Sequence, residues 1–445
     1  MKRQYFGTDG IRAPYGSDIM NEAFAWRLGV AVAAWLMENG ASRGASALIG
    51  RDTRASGGSL TQALADGLVH GGCQPFTLGV LPTPAVACAV TARRAALGVV
   101  VTASHNPATD NGIKFFGPAG MKLTDEQEAR IEALLPGPRS EGRPGPLPAL
   151  DGITDYLAST ASLLPARLDG WRIVLDTANG ATVHTSGRVL RELGAEVIPL
   201  GADPDGRNIN EGVGSEHPEK MSDLVKRHGA RLGVAHDGDG DRCILCDEHG
   251  AVLDGDEILT LLALHALNQG RLAQNLLVVT QQSNLGVEAA LEAVGGRVAR
   301  TPIGDRYVIE RMRAEGATLG GESSGHIICS DVSSTGDGLV AALKVIEVML
   351  ATGRPLSELR RVLVKFPQLT LALKVREKKP LETLSGLTGT VRQVETELGS
   401  RGRVLVRYSG TEPKLRLLVE GPTSETVKTV MERLQAAARA ELDVL

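Results

Sequence analysis

The sequence predicts an α/β protein: three topologically similar α/β domains with mixed, largely parallel sheets, followed by a smaller C-terminal α+β domain. Two observations carry that expectation. A short apolar strand, a polar loop, an Ala/Leu-rich helix closed by Gly and a second strand recur in that order three times along the chain. The 445 residues also exceed the size at which a single hydrophobic core stops growing, so two to four domains are expected.

The first occurrence runs from Ala47 to Arg54, continues as a helix through Val69 and ends in a strand at 71–79. The second runs from Trp171 to Gly180, then a helix through Leu193 and a strand at 194–201. The third runs from Leu276 to Gly286, then a helix to about Val294 and a strand at 295–304. In each, Gly supplies the left-handed stop of the helix, and the apolar strands imply a covered, largely parallel sheet. A spacing above about 100 residues means repeated domains rather than a solenoid. Thr124, Asp125, Glu126 and Gln127 form a capping box that opens a helix ending before Pro136. The Pro/Gly-rich stretch 136–148 is a linker, with further breaks at 250–256 and 361–367. The domains are therefore expected at 1–148, 149–253, 254–364 and 365–445. In the last, strands are expected at Leu369 to Val375 and Arg403 to Tyr408, with a closing helix from Ser424 to Leu442.

Bulk composition narrows the function classes. Hydrophobic residues at 42% and charged residues at 22% are those of an ordinary globular protein. A net charge of −4 excludes a general attraction to nucleic acid but leaves room for a local basic pocket that takes a small anion. The start lacks an apolar signal region, and no stretch reaches about 18 uncharged apolar residues, so a cytoplasmic chain without a membrane partner is expected. Five cysteines form no disulfide framework. Cys243 and Cys246 make a C-x-x-C, but no second pair completes a zinc site, and both read as residues of a strand.

The stretch Val99-Val-Val-Thr-Ala-Ser-His-Asn-Pro107 ends a continuous apolar run, Leu97 to Val101, in small and polar residues. A hydroxyl at the tip of a buried strand, Ser104 with His105 beside it, is the placement a nucleophile needs. An ordinary strand exit capped by Thr, Ser and Asn has the same composition. His236-Asp-Gly-Asp-Gly-Asp-Arg242 places Asp237, Asp239 and Asp241 at alternate positions after the strand Leu232 to Ala235. Two carboxylates about 4 Å apart repel by about 4 kcal/mol at an effective dielectric of about 20. Three together call for a cation, and all-oxygen ligands select Mg²⁺, Ca²⁺ or Mn²⁺ over zinc. An EF-hand shares part of this spacing, but Arg242 stands where its sharp turn needs Gly and the flanks read as strands. A solvated acidic turn is the plainer alternative.

Two further loops can contact a phosphorylated sugar. Arg407-Tyr-Ser-Gly-Thr-Glu-Pro413 offers a guanidinium fork, two hydroxyls and backbone N–H groups, which together can cradle phosphate. Gly320-Gly-Glu-Ser-Ser-Gly-His326 presents Glu322 and Ser324 to vicinal hydroxyls, with His326 as a candidate acid or base. Plain turns between strands account for either loop equally well when each is taken alone. Neither a GxxxxGK[ST] loop nor a GxGxxG after a strand is present, so nucleotide-dependent transfer lacks its usual cradle.

In this order, Thr102–Pro107, Asp237–Arg242, Gly321–His326 and Arg407–Pro413 resemble the signature loops of the α-D-phosphohexomutase superfamily, over essentially the whole chain. Tyr5–Arg12 and Asp110–Phe116 look most like the bacterial branch that acts on glucosamine phosphates. The resemblance implies four domains around a central cleft, the last swinging as a lid. It implies Ser104 as a phosphoserine, with one Mg²⁺ held by Asp237, Asp239, Asp241 and a phosphoryl oxygen on Ser104. Glu322 and Ser324 would bind sugar hydroxyls, and Arg407, Ser409, Gly410 and Thr411 the non-reacting phosphate. Arg12, His105, Lys114, Arg242 and His326 fall near the reacting oxygens. The implied reaction interconverts glucosamine 6-phosphate and glucosamine 1-phosphate through a 1,6-bisphosphate, on the route to UDP-N-acetylglucosamine. A hexose 1,6-bisphosphate would act as activator, and the enzyme would be a monomer or homodimer. One position departs from the pattern: Ser323 stands where Gln is usual. Mutases of mannose or glucose phosphate share the same parts. A serine-dependent metal phosphatase and a calcium-binding module are the more distant alternatives.

Overall fold

The computed structural model describes residues 3–137, 145, 147–409 and 413–445. The first sheet contains β1 (Ile11–Pro14), β2 (Ser46–Arg51), β3 (Gln74–Val80), β4 (Leu97–Val101) and β5 (Asp110–Phe116), in the order β1-β5-β4-β2-β3. The second contains β6 (Arg172–Asp176), β7 (Glu196–Leu200), β8 (Leu232–His236), β9 (Cys243–Asp247) and β10 (Val252–Leu253), in the order β10-β9-β8-β6-β7. The third contains β11 (Leu276–Thr280), β12 (Arg297–Thr301), β13 (Leu319–Gly321) and β14 (Ile327–Cys329), in the order β12-β11-β13-β14.

All three repeat one plan. The strand–helix–strand unit read in the sequence supplies a central strand (β2, β6, β11) and its parallel edge partner (β3, β7, β12). A third parallel strand (β4, β8, β13) lies on the other side of the central one. It then turns back into an antiparallel strand (β5, β9, β14). The hairpins after β4, β8 and β13 are thus equivalent in the three sheets, and they hold Ser104, the three aspartates and Glu322–His326 respectively. The antiparallel returns and β1 make the sheets mixed, as expected.

The fourth sheet is antiparallel throughout: β15 (Gln368–Lys374), β16 (Arg403–Tyr408) and β17 (Lys414–Glu420), in the order β15-β17-β16. The sequence reading named β15, β16 and the last helix, observed at Ser424–Glu441, but not β17 or the helix Ser385–Leu398. That helix carries two glycines and three threonines, weak helix formers, and forms because Leu387, Val394 and Leu398 bury one face. The capping box at Thr124 forms as read, with Thr124 Oγ1 accepting from the Gln127 N–H and Gln127 Oε1 from the Thr124 N–H. Cys243 and Cys246 lie buried and free in β9.

One continuous apolar core joins the first three sheets, running through Val86, Val90, Leu157, Leu245, Leu259, Val279 and Leu343. The fourth sheet has a core of its own, built from Leu373, Leu387, Leu415, Val430 and Leu434. Burial of apolar area, the main favourable term in folding, therefore ties three units into one body and leaves the fourth attached through a strap. Asn284 of the third unit holds the backbone of Phe366 in the strap 361–367, and Arg403 Nη2 on β16 donates directly to the Ser283 carbonyl at 2.6 Å. No helix is long and apolar enough to cross a membrane among the described residues.

The helices Glu22–Glu38 and Gly57–His70 cross where Gly29 meets the Leu64 carbonyl and Gly67 the Trp26 carbonyl, so close that a Cβ at either would collide with backbone. Gly67→Ala is expected to destabilise the first domain by about 1–3 kcal/mol through overpacking. Gly58→Ala, where a Cβ meets open space, is expected to be neutral or slightly stabilising. Scanning calorimetry of the two variants against wild type checks both.

Candidate functional site

β4 is buried at every position, which is why Leu97-Gly-Val-Val-Val101 carries no polar side chain. Beyond it the backbone turns sharply, and Ser104 adopts φ = +53°. Left-handed backbone costs a non-glycine residue about 1–2 kcal/mol, so its surroundings must enforce it. The Ser104 N–H donates to Thr102 Oγ1 at 2.9 Å, and its carbonyl accepts from Arg54 Nη2 at 3.0 Å and Asn210 Nδ2 at 2.8 Å. The fully buried Ser104 hydroxyl donates to Asp237 Oδ2 at 2.5 Å, and His105 Nδ1 lies 3.4 Å from Ser104 Oγ.

Asp237 belongs to the equivalent hairpin of the second sheet. Asp237, Asp239 and Asp241 are buried, and each places a carboxylate oxygen within 4.8 Å of the others'. Gly238 lets this loop lie against the serine loop, because a Cβ there would collide with the Ser104 carbonyl. The flanks are strands, so the loop is not an EF-hand. From β5, Lys114 Nζ reaches Asp239 Oδ2 at 2.8 Å, Asp9 Oδ2 at 2.9 Å and Asp241 Oδ2 at 3.4 Å. Burial works against its charge, yet Asp239, Asp9 and Asp241 outweigh that and raise the Lys114 pKa. Asp241 is likewise opposed by burial but held well below the usual carboxylate range by Lys114 and His326. Asp237 goes the other way: burial first, then the charges of Asp239 and Asp241, push it well above.

Asp237 is thus the member of the triad whose charge the neighbouring cations compensate least. Asp239 Oδ1 is buried with no hydrogen-bond partner among the described residues. Unpartnered carboxylate oxygens beside two other carboxylates make a fit for a hard divalent cation such as Mg²⁺.

The third hairpin closes on the second. Backbone pairs Arg242 with His326, and the Cys243 N–H donates to the Gly325 carbonyl at 3.0 Å. His326 lies between Asp241, 3.5 Å from Nδ1, and Asp305, 3.4 Å from Nε2. Burial disfavours its charge, but the two carboxylates lift it to about 9. His105 is driven the opposite way, down to about 4, by burial and by the cations Arg242 and Arg12. Glu322 Oε1 accepts from the Gly304 N–H at 3.0 Å, while Ser324 Oγ is buried without a hydrogen-bond partner among the described residues. Arg12, on β1, pairs with Asp9 and approaches Asn106 Oδ1 at 3.5 Å.

The structure thus brings together Ser104, His105, Arg12, Lys114, the three aspartates, Arg242, Glu322 and His326. Arg407 stands on β16 of the fourth sheet and Ser409 just past its end, and no described hydrogen bond or ion pair joins them to that cluster. Ser409 is anchored, its N–H donating to the Lys414 carbonyl and its own carbonyl accepting from Lys378 Nζ at 2.7 Å. Arg407 lines a cavity of about 370 Å³ together with Lys414 and Arg416. Gly410 and Thr411 lie outside the described residues. The sequence reading missed Asp9, Lys122, Asp305, Arg54, Asp52 and Asn210. Asp9 and Asp305 meet at Lys122, which is 2.5 Å from Asp305 Oδ2. A charge on Asp9 was visible in Gly7-Thr-Asp-Gly10; its partners were not.

Profiles of the phosphoglucomutase/phosphomannomutase α/β/α domains I, II and III match residues 3–140, 153–250 and 254–366. The profile of the C-terminal domain of the same family matches 371–437. The chain belongs to the phosphohexomutase family. It is an isomerase of that family. Phosphoglucosamine mutase of Anaeromyxobacter dehalogenans is 45% identical over 99% of both chains, and that of Geobacillus thermodenitrificans 43% identical over 99% of both. A phosphoglucomutase/phosphomannomutase family protein of Burkholderia thailandensis, 23% identical, shares the fold over 100% of both chains with a TM-score of 0.83.

Asp239→Asn removes one of the three charges that face the candidate cation position. It is expected to weaken Mg²⁺ binding at least about tenfold, as ligand charge sets affinity at such sites. Isothermal titration calorimetry on the full-length enzyme measures it, and an unchanged affinity would place the cation elsewhere.

Proposed function

We propose that the enzyme interconverts glucosamine 6-phosphate and glucosamine 1-phosphate, using Ser104 as the carrier of the phosphoryl group. The observation that carries the reading is the Ser104 hydroxyl, held in strained backbone at 2.5 Å from Asp237 inside a buried carboxylate triad. A nucleophile there has one surrounding chemistry to meet, that of an anion transferred next to a cation. The full-length likeness to phosphoglucosamine mutases supports the amino sugar as substrate.

In this reading phospho-Ser104 gives its phosphoryl group to O1 of glucosamine 6-phosphate. The Oγ–P bond breaks as the O1–P bond forms, and the proton of the sugar hydroxyl leaves to a base. The 1,6-bisphosphate turns end for end and returns its 6-phosphoryl group to Ser104, leaving glucosamine 1-phosphate, a precursor of UDP-N-acetylglucosamine. Asp237, Asp239 and Asp241 hold Mg²⁺, which when bound supplies positive charge to the phosphoryl oxygens. Lys114, Arg242 and His326 surround the same position, and transfer of this kind rests mainly on positioning and electrostatic stabilisation. His105, held neutral, stands within reach of the serine oxygen as a proton acceptor.

Glu322 and Ser324 face the sugar hydroxyls, and the unpartnered Ser324 oxygen suits that task. Arg407, Ser409, Gly410 and Thr411 take the phosphate that does not react, on a fourth domain (365–445) whose separate core lets it move as a lid over domains 1–148, 149–253 and 254–364. A hexose 1,6-bisphosphate primes Ser104.

Ser104→Ala is expected to lower turnover on the order of 10³-fold or more, since the whole relay passes through one oxygen. Wild type, given Mg²⁺ and a trace of hexose 1,6-bisphosphate, should turn over glucosamine 6-phosphate faster than glucose or mannose phosphates. A preference for either neutral hexose would keep the mechanism and change the substrate.

A further inference from the structure

We propose that Arg54 is the positioning residue that holds Ser104 in its left-handed, transfer-ready conformation, with Asn210 of the second domain as its auxiliary. The inference rests on the reading of Ser104 as the phosphoryl carrier.

Arg54 follows β2, and its side chain is fully buried. A buried guanidinium has five N–H donors to place, all fixed in one plane. Nε donates to Asp52 Oδ2 at 2.9 Å. Nη1 donates to the carbonyls of Pro107 and Asp110, the latter at 2.9 Å. Nη2 donates to the carbonyls of Ser104 at 3.0 Å and Asn106 at 2.8 Å. Four of the five donors therefore end on backbone oxygens of the serine loop. Few side chains can do this: a lysine ammonium has three donors and no fork.

The counter-ion completes the hold. Asp52 Oδ1 accepts the Arg54 N–H at 3.0 Å, and Oδ2 also accepts the Thr102 hydroxyl at 2.6 Å. That hydroxyl in turn accepts the Ser104 N–H at 2.9 Å. The N–H and the C=O of Ser104 are thus both tied, through one or two links, to the same buried ion pair. Rotation about N–Cα is the φ that takes the value +53°, so restraint on both sides of it resists relaxation to ordinary backbone. Asn210 Nδ2 adds a second donor to the Ser104 carbonyl at 2.8 Å and one to Asn106 at 3.0 Å. No contact joins Arg54 to the Ser104 hydroxyl, so its action is on geometry and not on the reacting atoms.

The test follows the loading of Ser104 in the dephosphorylated full-length enzyme, mixed with Mg²⁺ and glucose 1,6-bisphosphate and read by peptide mass against time. In that step the Oγ–P bond forms as a sugar O–P bond breaks, and the serine proton passes to the sugar oxygen of the departing hexose monophosphate. Arg54→Lys is expected to slow loading and kcat by about 100-fold, the loss that a misplacement near 1 Å brings, with KM for glucosamine 6-phosphate unchanged within about threefold. Asn210→Gly keeps the positive φ of that residue, removes the second donor and should give a smaller kcat loss of the same kind. If Arg54→Lys does not fold, Asn210→Gly and Thr102→Val decide, each expected to lower kcat without raising KM. Loading of these variants at the wild-type rate, or a loss confined to KM, overturns the positioning role. Failure of wild-type Ser104 to load overturns the phosphoserine reading itself, and this one with it.

Discussion

Lys114 is the charge on which the rest of the site depends. Its ammonium is almost wholly buried against Asp9, Asp239 and Asp241, carboxylates that come from two different sheets and their loops. Without it the acidic hairpin would place like charges together out of water, where each pair at about 4 Å repels by about 4 kcal/mol at an effective dielectric of about 20. The network then spreads outward: Asp9 to Arg12 and Lys122, Lys122 to Asp305, Asp305 and Asp241 to His326. Apolar burial holds the first three units together, while this chain of ions sets the register in which their loops face one another. Asp237, pushed well above the usual carboxylate range by burial and by Asp239 and Asp241, is the carboxylate whose charge this network compensates least.

The three-fold repetition of one sheet plan explains how such a site can be assembled at all. The hairpin between the third parallel strand and its antiparallel return leaves each sheet at the same edge of its unit. In the first it presents a hydroxyl, in the second carboxylates, in the third a polar loop with a histidine. Gly238 and the Arg242–His326 bridge show that the hairpins touch through backbone, without room for a side chain or a water layer. Short hairpins between paired strands, together with β1 and β5, thus carry the groups around Ser104, an arrangement that fixes their relative positions. The fourth unit differs in every respect: another sheet, its own core and a strap instead of a shared interior.

Much of this was legible from residue order. Strand–loop boundaries are local events, set where an apolar run stops and Gly or an Asx residue begins, and so β4, β8, β9 and the three strand–helix–strand units could be read directly. Spacing showed that Asp237, Asp239 and Asp241 crowd one loop, and charge repulsion alone required a cation. Weakly patterned segments were another matter. The helix Ser385–Leu398 is poor in intrinsic helix formers and exists because the fourth sheet needs a cover.

The amino-acid sequence by itself determined the strongly patterned elements, the repeat and the groups that each loop carries. Only the tertiary structure decided which charges compensate one another. Lys114 meets Asp239 across 125 residues, and Lys122 meets Asp305 across 183. The Arg54 fork reaches a loop that begins 50 residues away. Backbone propensity is felt between neighbours in the chain, whereas Coulomb attraction and hydrogen bonding act only through short distances in space, and those distances are created when the sheets pack.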